Sequence, residues 1–285
     1  MQNKIKFAFF GTPAFSVIVL DELKTHGFLP SLVITGEDKP KGRNLVITPP
    51  EVKIWAKENN IPYIQPKSLK NLDIINEIKS YSKDGFDIFI VASYGKIIPQ
   101  AVLDIPKKQT LNVHPSLLPK LRGASPIKSA ILTEDETGVT IMRLDKDLDH
   151  GPIVTQKKVE FEVWPEYAEE VEKTLGKEGG KLLVEILPKW VNGEIQEQEQ
   201  NHGLATFCGK IEKSDGELDL SLSPEKNLRK IRAYHIWPTT YFFKNNKRII
   251  VKRARIENGE LVIEKIVPEG KKEMDYIEFL KNNTK

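Results

Sequence analysis

Asn112 and His114 are the residues whose types and spacing best suit them to chemistry. They stand two apart in the β-type run Thr110-Leu-Asn-Val-His, so in a strand both side chains leave on the same side. A carboxamide and an imidazole aimed at one point can hydrogen-bond a carbonyl oxygen as it gains negative charge, and the imidazole can also move a proton near neutral pH. The same pair could serve only to satisfy backbone groups in a turn, so by itself it defines no enzyme. A third candidate is Asp149, in Leu148-Asp-His-Gly-Pro152. A carboxylate in so stiff a turn could orient an imidazole and take a proton, provided the fold brings it to His114. Asp145 and Asp147, in the same acidic run, read more simply as turn residues.

The elements that must position these groups follow from the flanking sequence. After His114 the chain reads PSLLPKLRGASP, and its three prolines bar a helix and bias the preceding residues toward extended geometry. A stiff ribbon just past a strand is where an open α/β protein places its ligands. Residues 6–11 (KFAFFG) form an apolar run that stops at Gly-Thr-Pro. A helix through Phe15, Val19, Leu20 and Leu23 and a second apolar run at 31–35 complete a β-α-β opening, which implies a parallel sheet. GTPAF lacks both the GxGxxG spacing and the GK[ST] ending, which disfavours a nucleotide cofactor.

Further along, 86–92 (FDIFIVA) reads as a central strand leading into Ser93-Tyr-Gly-Lys96. Helices are expected over 51–58, 72–81 and 127–132, and strands over 138–144 and 153–163. One long helix is expected over 166–191, with Gly179-Gly180 and Pro188 as points of interruption. Residues 36–50 (GEDKPKGRNLVITPP) read as a mobile basic loop at the mouth of the crevice. Residues 1–193 would form one domain, 194–210 a polar linker, and 211–285 a second domain. In the latter, short strands joined by Asn-Asn and Asn-Gly turns indicate a small β domain.

Composition narrows the class. With 285 residues, 39% of them hydrophobic and 29% charged, the chain is long enough for two globular domains. A single cysteine, Cys208, excludes an internal disulfide framework and a multi-cysteine metal site, and five scattered histidines call for no metal. No signal peptide opens the chain and no apolar run reaches membrane length, so a cytoplasmic protein without membrane contact is expected. Residues 205–285 hold 17 Lys+Arg against 12 Asp+Glu, a balance of +5, which leaves −2 for the rest of a chain of net charge +3. Residues 226–255 carry ten basic side chains and no acidic one, a candidate phosphate-binding surface.

The pattern Asn112-Val-His114-Pro-Ser-Leu-Leu-Pro119 with Arg122-Gly123, followed by Leu148-Asp149-x-Gly151, resembles the folate-dependent formyltransferases. FFGTPAF at 9–15, GEDKPKGR at 36–43, GVTIM at 138–142, ATFCGKI at 205–211, IRAYHIWP at 231–238 and EGKKEM at 269–274 look like the branch that acts on methionyl-tRNA. The resemblance runs from Phe7 to Leu280. It implies an α/β fold: an N-terminal Rossmann-like domain with a mostly parallel sheet, and a small, shortened C-terminal OB-like β domain.

The implied activity is transfer of a formyl group from 10-formyltetrahydrofolate to the α-amino group of methionine on initiator tRNA; apart from the resemblance, a monomer that uses no metal is expected. By position, Asn112, His114 and Asp149 would be the catalytic set. Ser116, Leu117, Leu118 and Pro119, the turn of Tyr94, Gly95, Lys96 and Ile97, and Asp145 with Leu148 would surround the folate. Lys39, Lys41 and Arg43, with Arg229, Arg232, Lys247, Arg248, Lys252 and Arg253, would hold the tRNA, mainly by its phosphates. This chain reads LDHGP where that branch commonly reads LDTGD, a form nearer the glycinamide ribonucleotide and sugar-nucleotide enzymes. A formyltransferase for a sugar nucleotide or other small amine, and a non-catalytic RNA-binding protein, remain the alternatives.

Overall fold

The computed structural model of the chain describes residues 5–42 and 45–282. In chain order the elements are β1 (Phe7–Gly11), α1 (Ala14–Thr25), β2 (Leu32–Ile34), β3 (Lys39–Lys41), β4 (Val46–Thr48), α2 (Glu51–Glu58), β5 (Tyr63–Ile64), α3 (Leu72–Ser80), β6 (Ile88–Ala92), α4 (Gln100–Leu103), β7 (Thr110–His114), β8 (Arg122–Gly123) and α5 (Pro126–Thr133). They continue with β9 (Thr137–Arg143), β10 (Ile153–Val159), α6 (Ala168–Asn192), β11 (Phe207–Cys208), α7 (Pro224–Ala233), β12 (Thr240–Lys244), β13 (Lys247–Glu257), β14 (Glu260–Pro268), β15 (Met274–Asp275) and α8 (Tyr276–Asn282). The chain divides into two compact units. One takes in residues up to 124, 137–159 and 172–207; the other takes in 125–136, 160–171 and 208 onward.

The first unit is built on a seven-stranded sheet in the order β10-β9-β7-β6-β1-β2-β5. The run from β5 to β7 is parallel, whereas β9 and β10 add on antiparallel. Every residue of β1, β6 and β7 is buried, as expected of parallel strands covered on both faces. Strand order reverses between β1 and β6, which opens a crevice beyond their carboxyl ends. On one face of the sheet Phe10 packs against Phe89 and Tyr94, at ring separations of 5.2 and 5.5 Å. On α6, Gly176, Gly179 and Gly180 permit close approach to the rest of the unit: a Cβ on Gly179 would stand 2.6 Å from Cγ1 of Val113 in β7. The helix runs unbroken through Gly179, Gly180 and Pro188, because packing outweighs the local penalty for these residues.

The second unit is an open antiparallel meander, β12-β13-β14-β15, with α7 and α8 contributing to its core. Leu228 and Ile231 of α7, Phe279 of α8, and Ile249, Val251 and Ile266 of the sheet make up that interior. Among the described residues this sheet has four strands, one of them only two residues long, against the five of an OB barrel.

Three expectations are revised. The segment 36–50 is not a structureless loop, since β3 and β4 pair as a hairpin from Lys39–Thr48 to Lys41–Val46. The strand expected to reach residue 163 ends at Val159, and Pro165 lies just beyond. Of the expected polar linker, 194–210, the stretch up to residue 207 groups with the first unit. Gln198 exchanges two main-chain hydrogen bonds of 2.8 Å with Ile153, and Arg122 N–H donates to Thr206 O at 2.9 Å.

Candidate active site

β7 ends at His114, inside the sheet rather than at its edge. β6 lies on one side, with Asn112 beside Val91, and β9 on the other, with Asn112 beside Met142 and His114 beside Thr140. Asn112 and His114 are 7% and 4% exposed. Among the described residues the Asn112 side chain makes no hydrogen bond, so its donor and its acceptor are open to a ligand.

His114 is oriented by the ribbon that follows it. Its Nε2 lies 3.0 Å from the carbonyl oxygen of Leu121. A carbonyl can only accept, so Nε2 carries the proton and Nδ1 faces the other way. Leu121 holds that carbonyl in place from a left-handed backbone, φ 61°, which costs a non-glycine residue about 1–2 kcal/mol. The ribbon is closed on itself by Ser116 Oγ, which donates to Lys120 O at 2.7 Å. It is also fixed to β9: Leu118 N–H donates to Thr140 Oγ1 at 3.2 Å, and Thr140 Oγ1 donates to Ser116 O at 2.7 Å.

Asp149 reaches the same point from the turn between β9 and β10. Its Oδ1 is 3.6 Å from His114 Nδ1, and its Oδ2 accepts from Gly123 N–H at 2.8 Å. Thus the structure brings Asp149 to His114, two residues that sequence reasoning could only place on separate segments, with Asn112 two residues before His114 in the same strand. With a second proton on Nδ1, the imidazolium would keep Nε2–H on Leu121 O, while its Nδ1–H, 3.6 Å from Asp149 Oδ1 and beyond direct hydrogen-bond reach of it, could donate to a ligand. The triplet can therefore present two N–H donors to a developing oxyanion, with a carboxylate beside them to accept a proton.

Sequence reasoning missed the polar residues that tie the carboxyl ends of the strands together. Ser16 Oγ donates to Ala92 O at 2.6 Å and accepts from Thr12 N–H at 3.1 Å, while Thr12 Oγ1 donates to Tyr94 O at 3.1 Å. Gly11 admits this arrangement, because a Cβ there would lie 2.6 Å from Cβ of Ser16. Buried Gln200 and Arg122 stand behind Asp149. Nothing in the alternating Glu and Gln of residues 194–200 singles out Gln200.

The expected folate residues separate into side chains and scaffolding. Ile97 and Leu148 are 87% and 64% exposed, apolar groups open to a flat heterocycle. Gly95, with φ 77°, lets the turn fold. Lys96 Nζ donates to Pro66 O at 2.6 Å, and Asp145 is engaged by His150 Nδ1 at 2.8 Å. Leu117 packs where a Cβ on Gly138 would come within 2.5 Å of it, and Leu118 is buried. The Tyr94 ring is no wall of the crevice: it sits in the core against Phe10, and burial pushes its phenol up to about 12.

The expected tRNA contacts divide in the same way. Arg229 donates to Ile131 O at 3.0 Å and Glu134 O at 2.7 Å and pairs with Asp135 at 2.9 Å, so it staples the end of α5. Arg232 donates to Pro165 O and lies over the Tyr167 ring. These two act as internal fasteners, each donating to main-chain carbonyls of its own unit, although Arg232 Nε makes no hydrogen bond among the described residues. Arg248 stacks 3.8 Å above the Tyr241 ring. Among the described residues Lys247, Lys252 and Arg253 make no ion pair. Lys39 is exposed, Lys41 meets Glu51 at 2.9 Å, and Arg43 lies outside the described residues.

An open α/β sheet with an amide, an imidazole and a carboxylate past its strands is an arrangement suited to acyl-type group transfer. Residues 3–187 match the formyl transferase family and residues 210–261 its C-terminal domain. The methionyl-tRNA formyltransferase of Chloroflexus aggregans is 38% identical over 255 residues, 88% of this chain and 81% of that one. That of Sulfurihydrogenibium sp. is 40% identical over 88% of this chain and 80% of its own. The chain belongs to the formyltransferase family. A solved N-formyltransferase from Helicobacter canadensis, in complex with folinic acid and dTDP-3-aminofucose, shares the fold at TM-score 0.65 and 18% identity, over 89% of this chain and 88% of that one. Among the described residues no helix is long and apolar enough to cross a membrane.

Proposed function

We propose that this protein transfers the formyl group of 10-formyltetrahydrofolate to the α-amino group of methionyl initiator tRNA, in the cytoplasm, as a monomer. The observation that carries the chemistry is the convergence of Asn112, His114 and Asp149, two of them donors and one an acceptor, at the carboxyl end of a buried strand. The substrate amine attacks the formyl carbon directly. Asn112 and the Nδ1–H of His114 hold the oxygen as it becomes an oxyanion, and Asp149 accepts the proton lost by the amine; as the tetrahedral intermediate collapses, the bond from the formyl carbon to the folate nitrogen breaks and that nitrogen takes the proton back, releasing tetrahydrofolate. No residue needs to be acylated. The folate lies against the 116–119 ribbon and the turns at 94–97 and 145–148, with Ile97 and Leu148 as apolar contacts.

Two observations favour tRNA over a sugar nucleotide. The relatives at 38–40% identity carry that activity in their names, and Lys247, Lys252 and Arg253 leave cationic groups uncommitted on β13. The His150 of LDHGP is the observation on the side of a small amine. The test is to supply 10-formyltetrahydrofolate together with charged initiator tRNA or an amino-sugar nucleotide. Formylation of the tRNA is expected; exclusive formylation of the sugar would overturn the reading.

A further inference from the structure

The turn bearing Asp149 is held from behind by a buried pair for which the proposed chemistry has no direct use. Arg122 is 4% exposed and Gln200 is 5% exposed. Gln200 Nε2 donates to two carbonyls of that turn, Asp149 O at 3.0 Å and Gly151 O at 2.6 Å, which occupies both of its N–H groups. Its Oε1 accepts from Arg122 Nε at 3.2 Å and from a terminal guanidinium nitrogen at 2.7 Å. The same terminal nitrogen donates to His202 Nδ1 at 2.9 Å. The His202 ring stacks on His150 at 4.1 Å, nearly parallel, and His150 Nδ1 meets Asp145 at 2.8 Å. One continuous network therefore grips the turn from Asp145 to Gly151.

The turn needs such a grip. Asp149 has φ 47°, a left-handed conformation that a non-glycine residue keeps only when its surroundings impose it. The carboxylate is short, so its separations of 3.6 Å from His114 and 2.8 Å from Gly123 N–H are set by where its own backbone lies. The side chain at 200 must offer two donors to adjacent carbonyls and an acceptor to a guanidinium. Glutamine does both at once.

We propose that Gln200, itself fixed by Arg122, is a positioning residue that locks the backbone of Asp149 so that its carboxylate meets His114. The proposal rests on the reading of Asp149 as the proton acceptor. Its signature is a fall in turnover without a fall in substrate affinity.

The test uses the full chain carrying Gln200→Leu and, separately, Gln200→Glu. The second variant keeps the Arg122 contact but turns an oxygen toward the two carbonyls, so it serves even if the first does not fold. Single-turnover formyl transfer should fall about 10- to 100-fold in either variant, the loss expected from misplacing a reacting group by about 1 Å. KM for folate and for methionyl-tRNA should stay within about twofold. In an Asp149→Asn background, Gln200→Glu should add no more than about a twofold loss, because both changes act through one carboxylate. The proposal is overturned if Gln200→Glu keeps wild-type turnover, if it raises KM alone, or if its full penalty persists beside Asp149→Asn. Wild-type turnover in Asp149→Asn alone would overturn the reading of Asp149 instead, a separate failure.

Discussion

Asn112→Ala tests the oxyanion role more cleanly than any change at His114. The His114 ring is tied to Leu121 O, so removing it also releases a ribbon that closes the site. Asn112 has no such tie: its amide makes no hydrogen bond among the described residues, so truncation forfeits only a few buried atoms. An unfilled space of about 40 Å³ corresponds to about 1 kcal/mol of stability, a loss of a few degrees in Tm for a chain of this size. The rate should suffer far more. Losing one oxyanion donor costs about 3–4 kcal/mol, or about 10²- to 10³-fold in kcat, because the donor acts only on charge that develops in the transition state. The assay is single-turnover formylation of methionyl-tRNA at saturating folate, alongside a thermal melt. A kcat within about threefold of wild type, in a folded variant, would refute the assignment. A rise in KM at unchanged kcat would show that Asn112 holds the ground state instead.

Other outcomes follow from particular contacts. Arg229→Ala should lower stability by about 1–3 kcal/mol in a denaturant melt, through loss of its bonds to the end of α5, with the salt dependence of tRNA binding unchanged. Lys252→Ala and Arg253→Ala should do the opposite. Each should flatten the slope of log affinity against log salt by about 1 at near-constant stability, and an unaltered slope would remove β13 from the tRNA surface. The Tyr94 hydroxyl is buried without a hydrogen-bond partner among the described residues, and burial raises its folded value to about 12, above that of a free phenol. Its contribution is therefore fully present below about pH 10 and is lost as pH rises toward 12. Tyr94→Phe should keep formyl transfer and remove part of the alkaline loss of stability, which melts between pH 9 and 12 would register.

The parallel sheet was legible in the sequence because residues 7–11 and 88–92 are continuous apolar runs separated by turns and helical periodicity. Asn112 and His114 were legible as a pair because a two-residue spacing is a direct statement about a strand face. Their meeting with Asp149 was not, since the 34 residues between His114 and Asp149 carry no local sign of where the turn folds back; only the resemblance supplied it. Gln200 was invisible for a different reason. In a run of alternating Glu and Gln its type is unremarkable, and its role comes entirely from two carbonyls 49 and 51 residues away. Arg229 and Arg232 misled because a basic count registers charge and not commitment. Each commits at least one donor to a carbonyl oxygen that no sequence pattern marks.

β7 lies between β6 and β9, with Gly179 of α6 against its Val113, so the main chain of Asn112 and His114 can be freed only when the sheet opens. Asp149 sits in a turn closed by a few side-chain bonds, and such a segment opens at a much smaller free energy. The two halves of the site therefore belong to different cooperative units. In amide hydrogen exchange, residues 111–113 should be among the slowest of the chain and 146–150 among the quicker. On gentle warming, formyl transfer should fade while the sheet remains intact, so heat inactivation of this enzyme would begin as a local, reversible event.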